Sequence, residues 1–237
     1  MRVAVAQMEP RLAENERNLD AALERLEEAA GAGAQLLVLP ECAIPGYMFD
    51  SAEEALPYAE EIPGPTTEAF ERECARLGVH AITGLLERDG DTLYNAAILV
   101  GPDGLIGSYR KTHLPFLGVD RFVTPGEEFK VFDTALGRIG LIICYDLRFP
   151  EVTRTLALQG ADMVALPTNF PMAAKLQCDV IAPARAAENR VYLLVANRVG
   201  KERWGEFCGW SQIVDPYGTR LAEAGETEET LLVADVE

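Results

Sequence analysis

The sequence is short of histidine and of basic residues. Two histidines among 237 residues are too few for a metal-dependent phosphoesterase, which needs several acid and histidine ligands. The sequence has 21 lysines and arginines and 38 aspartates and glutamates, which gives a formal net charge of −17. That balance argues against a nucleic-acid partner and against an anionic membrane surface.

Cysteine pairs and long apolar runs are also missing. The five cysteines, at positions 42, 74, 144, 178 and 208, are odd in number and include no C-x-x-C pair, which predicts neither a disulfide framework nor a zinc site. No apolar stretch approaches the roughly 20 residues that a membrane helix needs. The opening "MRVAVAQMEP" enters a strand-like run without the apolar core of a signal peptide. We expect reduced thiols in a cytoplasmic protein.

The chain is predicted to form one domain over residues 1–237, because no linker or low-complexity tract divides it. A strand at 3–8, a helical pattern at 17–30 and a strand at 35–40 form a β-α-β opening with parallel, buried strands. The strands 92–101 and 105–111 flank "GPDG" and indicate a hairpin. The other predicted elements are helices at 66–77, 150–160 and 175–190, and strands at 79–86, 130–134, 137–144, 162–167, 191–197 and beyond 209. This mixture predicts an α/β fold with two layers of sheet covered by helices.

Three segments share one design, in which an apolar strand ends in a reactive side chain and a loop follows. "LLVLPE" ends at Glu41, "IGSYRK" at Lys111 and "IGLIIC" at Cys144. Strand ends hold side chains rigidly while the loops shape a pocket. A carboxylate that takes the thiol proton, a thiolate that attacks and an ammonium that stabilises the developing charge would together make a nucleophilic site.

Each of these residues also has an ordinary structural interpretation. A glutamate after a strand is usually a solvated loop carboxylate, and a lysine in "YRKTHLP" is usually on the surface. Free cysteine is among the most buried residue types, so core packing alone would explain Cys144. His113, two residues after Lys111, would be the base of a Cys–His enzyme. Spacing alone leaves these alternatives open.

Longer segments around the same residues resemble the signature regions of the nitrilase superfamily, the carbon–nitrogen hydrolases. They are "LLVLPECAIPGY", "YRKTHLP" and "GRIGLIICYDLRFPE". "ARAAENRVYLLVANRVG" and the stretch from "GWSQIVDPYG" onwards resemble the family's C-terminal half. The resemblance covers nearly the whole chain, in the family's order.

The resemblance implies a four-layer α-β-β-α sandwich with a triad of Glu41 as general base, Lys111, and Cys144 as nucleophile. It implies cleavage of a non-peptide C–N bond in a small linear amide or N-carbamoyl compound through a thioester, without a metal or an organic cofactor. Lys111 and the backbone N–H of Tyr145 are then the natural donors to the oxyanion. Members of the family associate through helices that correspond to about 149–160 and 175–190, so we expect a homodimer or a higher homo-oligomer.

The sequence departs from the family's pattern at two points in the pocket. Many members carry a second glutamate between the lysine and the cysteine; in "FLGVDRFVTPGEEF" we assign that position to Asp120, with a solvated loop acid as the alternative. Phe170 stands where a tryptophan is frequent. Tyr47, Phe116, Asn169 and Phe170 are expected in the pocket wall, although each could equally be a core or rim residue.

Three other functions remain compatible with the sequence. A nitrilase or an amide-forming acyltransferase would use the same triad as an amidase. A non-catalytic binding protein could keep the fold, but the presence of Glu41, Lys111 and Cys144 argues against it.

Overall fold

The computed structural model describes residues 1–237 and contains two six-stranded sheets. The first sheet follows the spatial order β14 (Thr230–Asp235), β1 (Arg2–Gln7), β2 (Leu36–Val38), β3 (His80–Asp89), β4 (Thr92–Gly101) and β5 (Gly104–Arg110). The second follows the order β13 (Arg220–Glu223), β12 (Gln212–Val214), β9 (Tyr192–Asn197), β8 (Met163–Thr168), β7 (Gly137–Leu141) and β6 (Val131–Thr134). A separate hairpin consists of β10 (Lys201–Glu202) and β11 (Gly205–Glu206).

Each sheet has a parallel centre and antiparallel edges. Strands β1, β2 and β3 run parallel, as do β7, β8 and β9. The hairpin β4–β5 extends one edge of the first sheet, and β12–β13 extends one edge of the second. The predicted β-α-β opening and the "GPDG" hairpin are therefore confirmed. Glu41 lies in the loop that follows the carboxyl end of β2, and Cys144 lies just beyond the carboxyl end of β7.

Helices cover the outer face of each sheet. They are α1 (Asn15–Gly31), α2 (Ala52–Ala55), α3 (Pro65–Leu77), α4 (Pro150–Leu158) and α5 (Ala182–Asn189). Strand β1 shows the reason for the layering, because its side chains alternate between two faces. Val3 and Val5 pack in the cluster that includes the second sheet, whereas Ala4 and Ala6 pack with residues of α1 and α3. The predicted four-layer α-β-β-α sandwich is confirmed. No helix combines the length and apolar character needed to cross a membrane.

The structure adds detail to two predicted elements. The helix predicted at 175–190 is helical without interruption up to Asn189, but its part Gln177–Ile181 is π-helical and continues directly into α5. Pro183, in the first turn of α5, has no backbone N–H to donate to the preceding turn, which favours the wider hydrogen-bond pattern there. The strand predicted at 137–144 ends at Leu141, and Cys144 begins a 3-10 turn that runs to Arg148.

A buried ion pair fixes the loop that follows β2. Arg198 is fully buried and donates to Glu202 Oε1 at 2.6 Å and to the Pro10 carbonyl at 2.9 Å. The other oxygen of Glu202 accepts the backbone N–H groups of Tyr47 and Met48 at 2.8 and 2.7 Å. The hairpin β10–β11 thereby holds the loop that begins at Glu41, across a large separation in sequence.

We expect Glu202→Gln to lower the free energy of unfolding by about 3–5 kcal/mol, because it leaves the buried Arg198 charge without its partner. Urea denaturation of the purified protein measures this loss. Glu206→Gln is the matched control, since Glu206 pairs with Lys201 on the surface, where an ion pair contributes about 0–1 kcal/mol. Equal small losses in the two variants would contradict the assignment.

Candidate active site

Glu41 lies in a buried loop that passes close to β3. A side chain at Gly84 would come within 2.4 Å of the Cys42 nitrogen and 2.7 Å of Glu41 Cα, so only glycine allows this approach. The Glu41 side chain is fully buried, and its Oε1 accepts Lys111 Nζ and Asn95 Nδ2, both at 2.7 Å. Its Oε2 is buried without a partner. The second oxygen is therefore free to take a proton.

Lys111 directly follows β5 and is held by two carboxylates. Its ammonium donates to Glu41 Oε1 at 2.7 Å and to Asp120 Oδ2 at 2.6 Å, and all three side chains are fully buried. Its backbone N–H donates to the Asn95 carbonyl at 2.8 Å, which continues the pairing of β4 and β5. One buried cation between two buried anions leaves this group with a net charge of −1.

Asn95 and Tyr47 complete the support of the two carboxylates. Asn95 Nδ2 donates to Glu41 Oε1 and, at 2.9 Å, to Asp120 Oδ1. The Oδ1 atom of Asn95 accepts a hydrogen bond from the Cys42 thiol. The Tyr47 hydroxyl donates to Asp120 Oδ2 at 2.7 Å. Asn95 was not among the candidate residues predicted from the sequence. The signal that could have found it is its amide side chain in the otherwise largely apolar stretch "TLYNAAILVG".

Cys144 occupies the first position of the 3-10 turn Cys144–Arg148, with a left-handed φ of 47°. It is 5% exposed. The prediction that it ends a strand is wrong, because the ladder of β7 stops at Leu141. The left-handed conformation is uncommon for a residue with a Cβ and marks a position that the surrounding structure enforces.

The three charged or ionisable groups act on one another. Burial raises the pKa of Glu41 above its usual value; Lys111 opposes this rise and Asp120 adds to it. Burial acts to lower the pKa of Lys111, but Asp120 and Glu41 together hold that pKa well above its usual value. Burial also raises the pKa of Cys144, Glu41 adds to the rise, and Lys111 opposes it. At neutral pH the site therefore holds an ammonium and a neutral thiol, beside the carboxyl group of Glu41, which binds a proton more readily than usual.

Four of the expected pocket residues, Tyr47, Asn169, Phe170 and Tyr145, are buried or half-buried. Tyr47 is buried, but its hydroxyl is engaged by Asp120. Asn169 is 1% exposed and its side-chain amide has no partner, and its backbone N–H acts to lower the pKa of Cys144. Phe170 is buried, with its N–H donated to Asn197 Oδ1. Tyr145 is half-buried with its ring perpendicular to Phe149.

Phe116 lies outside the buried cluster, which corrects the expectation that it forms a wall. It is 90% exposed, and the Leu117 N–H bonds back to the Pro115 carbonyl at 2.8 Å, a tight turn with Phe116 at its apex.

His113, the alternative base of a Cys–His site, is held by an acid and an aromatic ring. Its Nδ1 lies 2.8 Å from Asp146 Oδ1, and its ring stacks on Phe149 with centroids 3.9 Å apart. No group of three or more histidine, cysteine, aspartate and glutamate side chains is arranged to hold a metal ion.

The sequence is similar to known enzymes along its full length. The profile of the carbon-nitrogen hydrolase family matches residues 2–237. A nitrilase of Pyrococcus abyssi is 44% identical over 239 residues, which cover 100% of this chain and 90% of the relative. An omega-amidase of Xenopus tropicalis is 36% identical over 233 residues, covering 93% and 83% of the two chains.

Solved structures of similar proteins have the same fold. The amidase of Nesterenkonia sp. AN1 matches with a TM-score of 0.88 at 29% identity, covering 100% of this chain and 93% of that one. Nit3 of Saccharomyces cerevisiae, a member of branch 10 of the nitrilase superfamily, matches with a TM-score of 0.89 at 29% identity, covering 99% and 89%. The chain therefore belongs to the carbon–nitrogen hydrolase family of the nitrilase superfamily.

Proposed function

We propose that this carbon–nitrogen hydrolase cleaves a small linear amide, or the related N-carbamoyl compounds, through a thioester on Cys144. The proposal rests mainly on one observation: Glu41 and Lys111 form a fully buried pair, with Oε1 and Nζ 2.7 Å apart, and the buried Cys144 thiol is close enough for both charges to act on its pKa. Similarity to omega-amidases and to the Nesterenkonia amidase supports an amide substrate. In one structure of that amidase, acrylamide has added to the active-site cysteine.

In the first half of the reaction, Glu41 Oε2 takes the thiol proton while the sulfur forms a bond to the carbonyl carbon. The oxyanion is stabilised by Lys111 Nζ and by the backbone N–H of Tyr145. The C–N bond then breaks, and ammonia leaves with the proton that Glu41 returns. The acyl group remains on Cys144 as a thioester.

In the second half, Glu41 takes a proton from water, and the resulting hydroxide attacks the thioester carbon. The C–S bond breaks, the carboxylic acid leaves, and the sulfur recovers its proton from Glu41. One carboxylate thus serves as base and acid in turn. Lys111 remains charged throughout, because Asp120 pairs with its ammonium at 2.6 Å even while Glu41 carries the proton.

A small substrate fits the burial of the site. Cys144 is 5% exposed, and Asn169 beside it is 1% exposed. The Asn169 amide and Glu41 Oε2 are buried polar groups without a protein partner, and such groups are costly unless something bonds to them. A compact polar substrate would supply those bonds.

We expect ammonia release from at least one compound in a panel of linear amides, monoamides of dicarboxylic acids and carbamoylated amines. Cys144→Ala, which removes the nucleophile, should abolish the release, a fall in kcat of at least about 10³-fold. Coupled ammonia detection with each compound measures this. Cys74→Ala, at a buried cysteine on α3, is the matched control. Ammonia release by the Cys144→Ala protein at the wild-type rate would overturn the proposal.

Nitrile hydrolysis is the second candidate, and the Pyrococcus abyssi relative with that name is the observation that favours it. The same thiol would add to the nitrile carbon and form a thioimidate before the thioester. Product analysis with an amide and a nitrile that share one carbon skeleton separates the two functions. Turnover of the nitrile alone would replace the amidase proposal.

We propose that Asp120 takes the place of the family's second glutamate and tunes Glu41. Only the ionised form of Glu41 is active as a base, so kcat/KM should fall as the pH is lowered through the pKa of Glu41. Burial and Asp120 raise that pKa, so the midpoint of the fall should lie above pH 4.5, the usual pKa of glutamate. Asp120→Asn removes one negative charge, so that midpoint should move to lower pH. Glu127→Gln, at an exposed loop acid, should not move it. A midpoint at or below pH 4.5 in the wild type, or an unchanged midpoint in Asp120→Asn, would contradict this role.

We further propose a homodimer in the reducing cytoplasm. The five cysteines are unpaired, and the mechanism needs Cys144 as a thiol, which a reducing compartment preserves. Exposed apolar side chains recur every four residues along the turns before α5, at Met172, Leu176 and Val180, and Leu158 ends α4 with 80% of its surface exposed. The segment with Val180 continues directly into α5, which packs against α4. We assign these exposed apolar side chains to the contact with a second copy.

The double variant Leu176→Glu and Val180→Glu should convert the dimer to a monomer, because it places charges in an apolar interface. Light scattering after gel filtration would show the mass fall by half. Trp204→Glu, at an aromatic residue that is 65% exposed in the turn between β10 and β11, is the control and should keep the dimer mass. A wild-type mass of a single chain would contradict the proposed dimer.

A further inference from the structure

The Asp146 carboxylate is the most heavily bonded side chain near the nucleophile. It is fully buried and lies two residues after Cys144. Its Oδ2 accepts the backbone N–H of Ile143 at 2.9 Å and the Tyr109 hydroxyl at 2.8 Å. Its Oδ1 accepts three further hydrogen bonds. They come from the Thr112 hydroxyl at 2.9 Å, from the His113 backbone N–H at 3.0 Å and from the His113 ring Nδ1 at 2.8 Å.

These donors come from the two segments that carry Lys111 and Cys144. Tyr109 precedes Lys111, and Thr112 and His113 follow it, whereas Ile143 directly precedes Cys144. The donors belong to different sheets, since β5 ends at Arg110 in the first sheet and β7 leads to Cys144 from the second. One carboxylate therefore fixes the distance between the ammonium and the thiol. We call Asp146 with Tyr109, Thr112, His113 and Ile143 the Asp146 joint.

The Asp146 joint also holds the strained backbone of the nucleophile. Cys144 has a φ of 47°, and a residue with a side chain in such a region costs about 1–3 kcal/mol. Two hydrogen bonds close over it: the Asp146 N–H donates to the Ile143 carbonyl at 3.1 Å, and the Ile143 N–H donates to the Asp146 carboxylate. The same turn sets the direction of the Tyr145 N–H.

We propose that Asp146 is a positioning residue, which acts through Cys144 and Lys111 and touches no reacting atom. It holds the Cys144 sulfur and the Tyr145 N–H in line with Lys111. This inference rests on the proposed function in one respect only, namely that Cys144 is the nucleophile.

Asp146→Asn tests the joint, because the amide nitrogen cannot accept the hydrogen bonds that one carboxylate oxygen receives. The rate of alkylation of Cys144 by iodoacetamide, followed by mass spectrometry of the Cys144 peptide, should fall by at least about tenfold. With a substrate from the amide panel, kcat should fall by on the order of 10²-fold with little change in KM, since misplacement of a reacting group by about 1 Å has that effect. Asp133→Asn is the control: Asp133 is an exposed aspartate whose partner is Arg138, and both rates should be unchanged.

Single-donor variants keep the test independent of the folding of Asp146→Asn. Tyr109→Phe and Thr112→Val each remove one hydroxyl that bonds to Asp146 while keeping the volume of the side chain, and each should slow alkylation of Cys144 by about three- to tenfold. Tyr109→Phe combined with Asp146→Asn should be no slower than Asp146→Asn alone, because groups that act through one contact are not additive.

Two results would overturn the proposal. One is a folded Asp146→Asn protein in which Cys144 is alkylated at the wild-type rate. The other is an effect on the melting temperature alone, with both rates unchanged well below the transition, in Asp146→Asn and in the two single-donor variants. Alkylation needs no substrate, so failure of the amidase proposal would show separately, as absence of ammonia release across the whole panel while the alkylation effect persists.

Discussion

The site depends on one interaction, the sharing of the buried Lys111 ammonium between Glu41 and Asp120. An isolated ammonium in the protein interior would lose its proton, whereas two carboxylates within 2.7 Å keep it charged. Burial raises the pKa of Glu41, and Asp120 adds to the rise against the opposing charge of Lys111. Burial, with the Glu41 charge, also raises the pKa of Cys144 and keeps the resting thiol protonated. The arrangement therefore favours transfer of the thiol proton to Glu41 during attack over a permanent thiolate.

The rest of the fold serves to hold these groups against one another. Glu41 follows strand β2 of the first sheet, and Lys111 follows the hairpin β4–β5 at the edge of that sheet. Cys144 follows strand β7 of the second sheet. Segments from different layers need ties that are independent of strand pairing. Asn95 and Asp120 tie the first two groups together, and Glu202 fixes the loop after Glu41. The Asp146 joint connects Lys111 to the turn of Cys144.

The fold and the family could be predicted from the sequence, because apolar runs and turn residues are local signals. The same runs placed Glu41 and Lys111 just after strands. They failed at Cys144, since the Asp146 carboxylate takes the Ile143 N–H and no periodicity shows this. Asn95 and Glu202 act on residues 54 and 154–155 positions away, which a single sequence does not reveal. Phe116 is aromatic and close to Lys111 in sequence, but a tight turn exposes it.

The central claim is that Cys144 carries the acyl group during turnover. Rapid acid quenching of the enzyme with an amide substrate, followed by mass spectrometry of the intact chain and its peptides, measures this directly. The account predicts a mass gain equal to the substrate minus ammonia, located on the Cys144 peptide and removed by hydroxylamine. A working enzyme without that adduct, or with the acyl group on another residue, would contradict it.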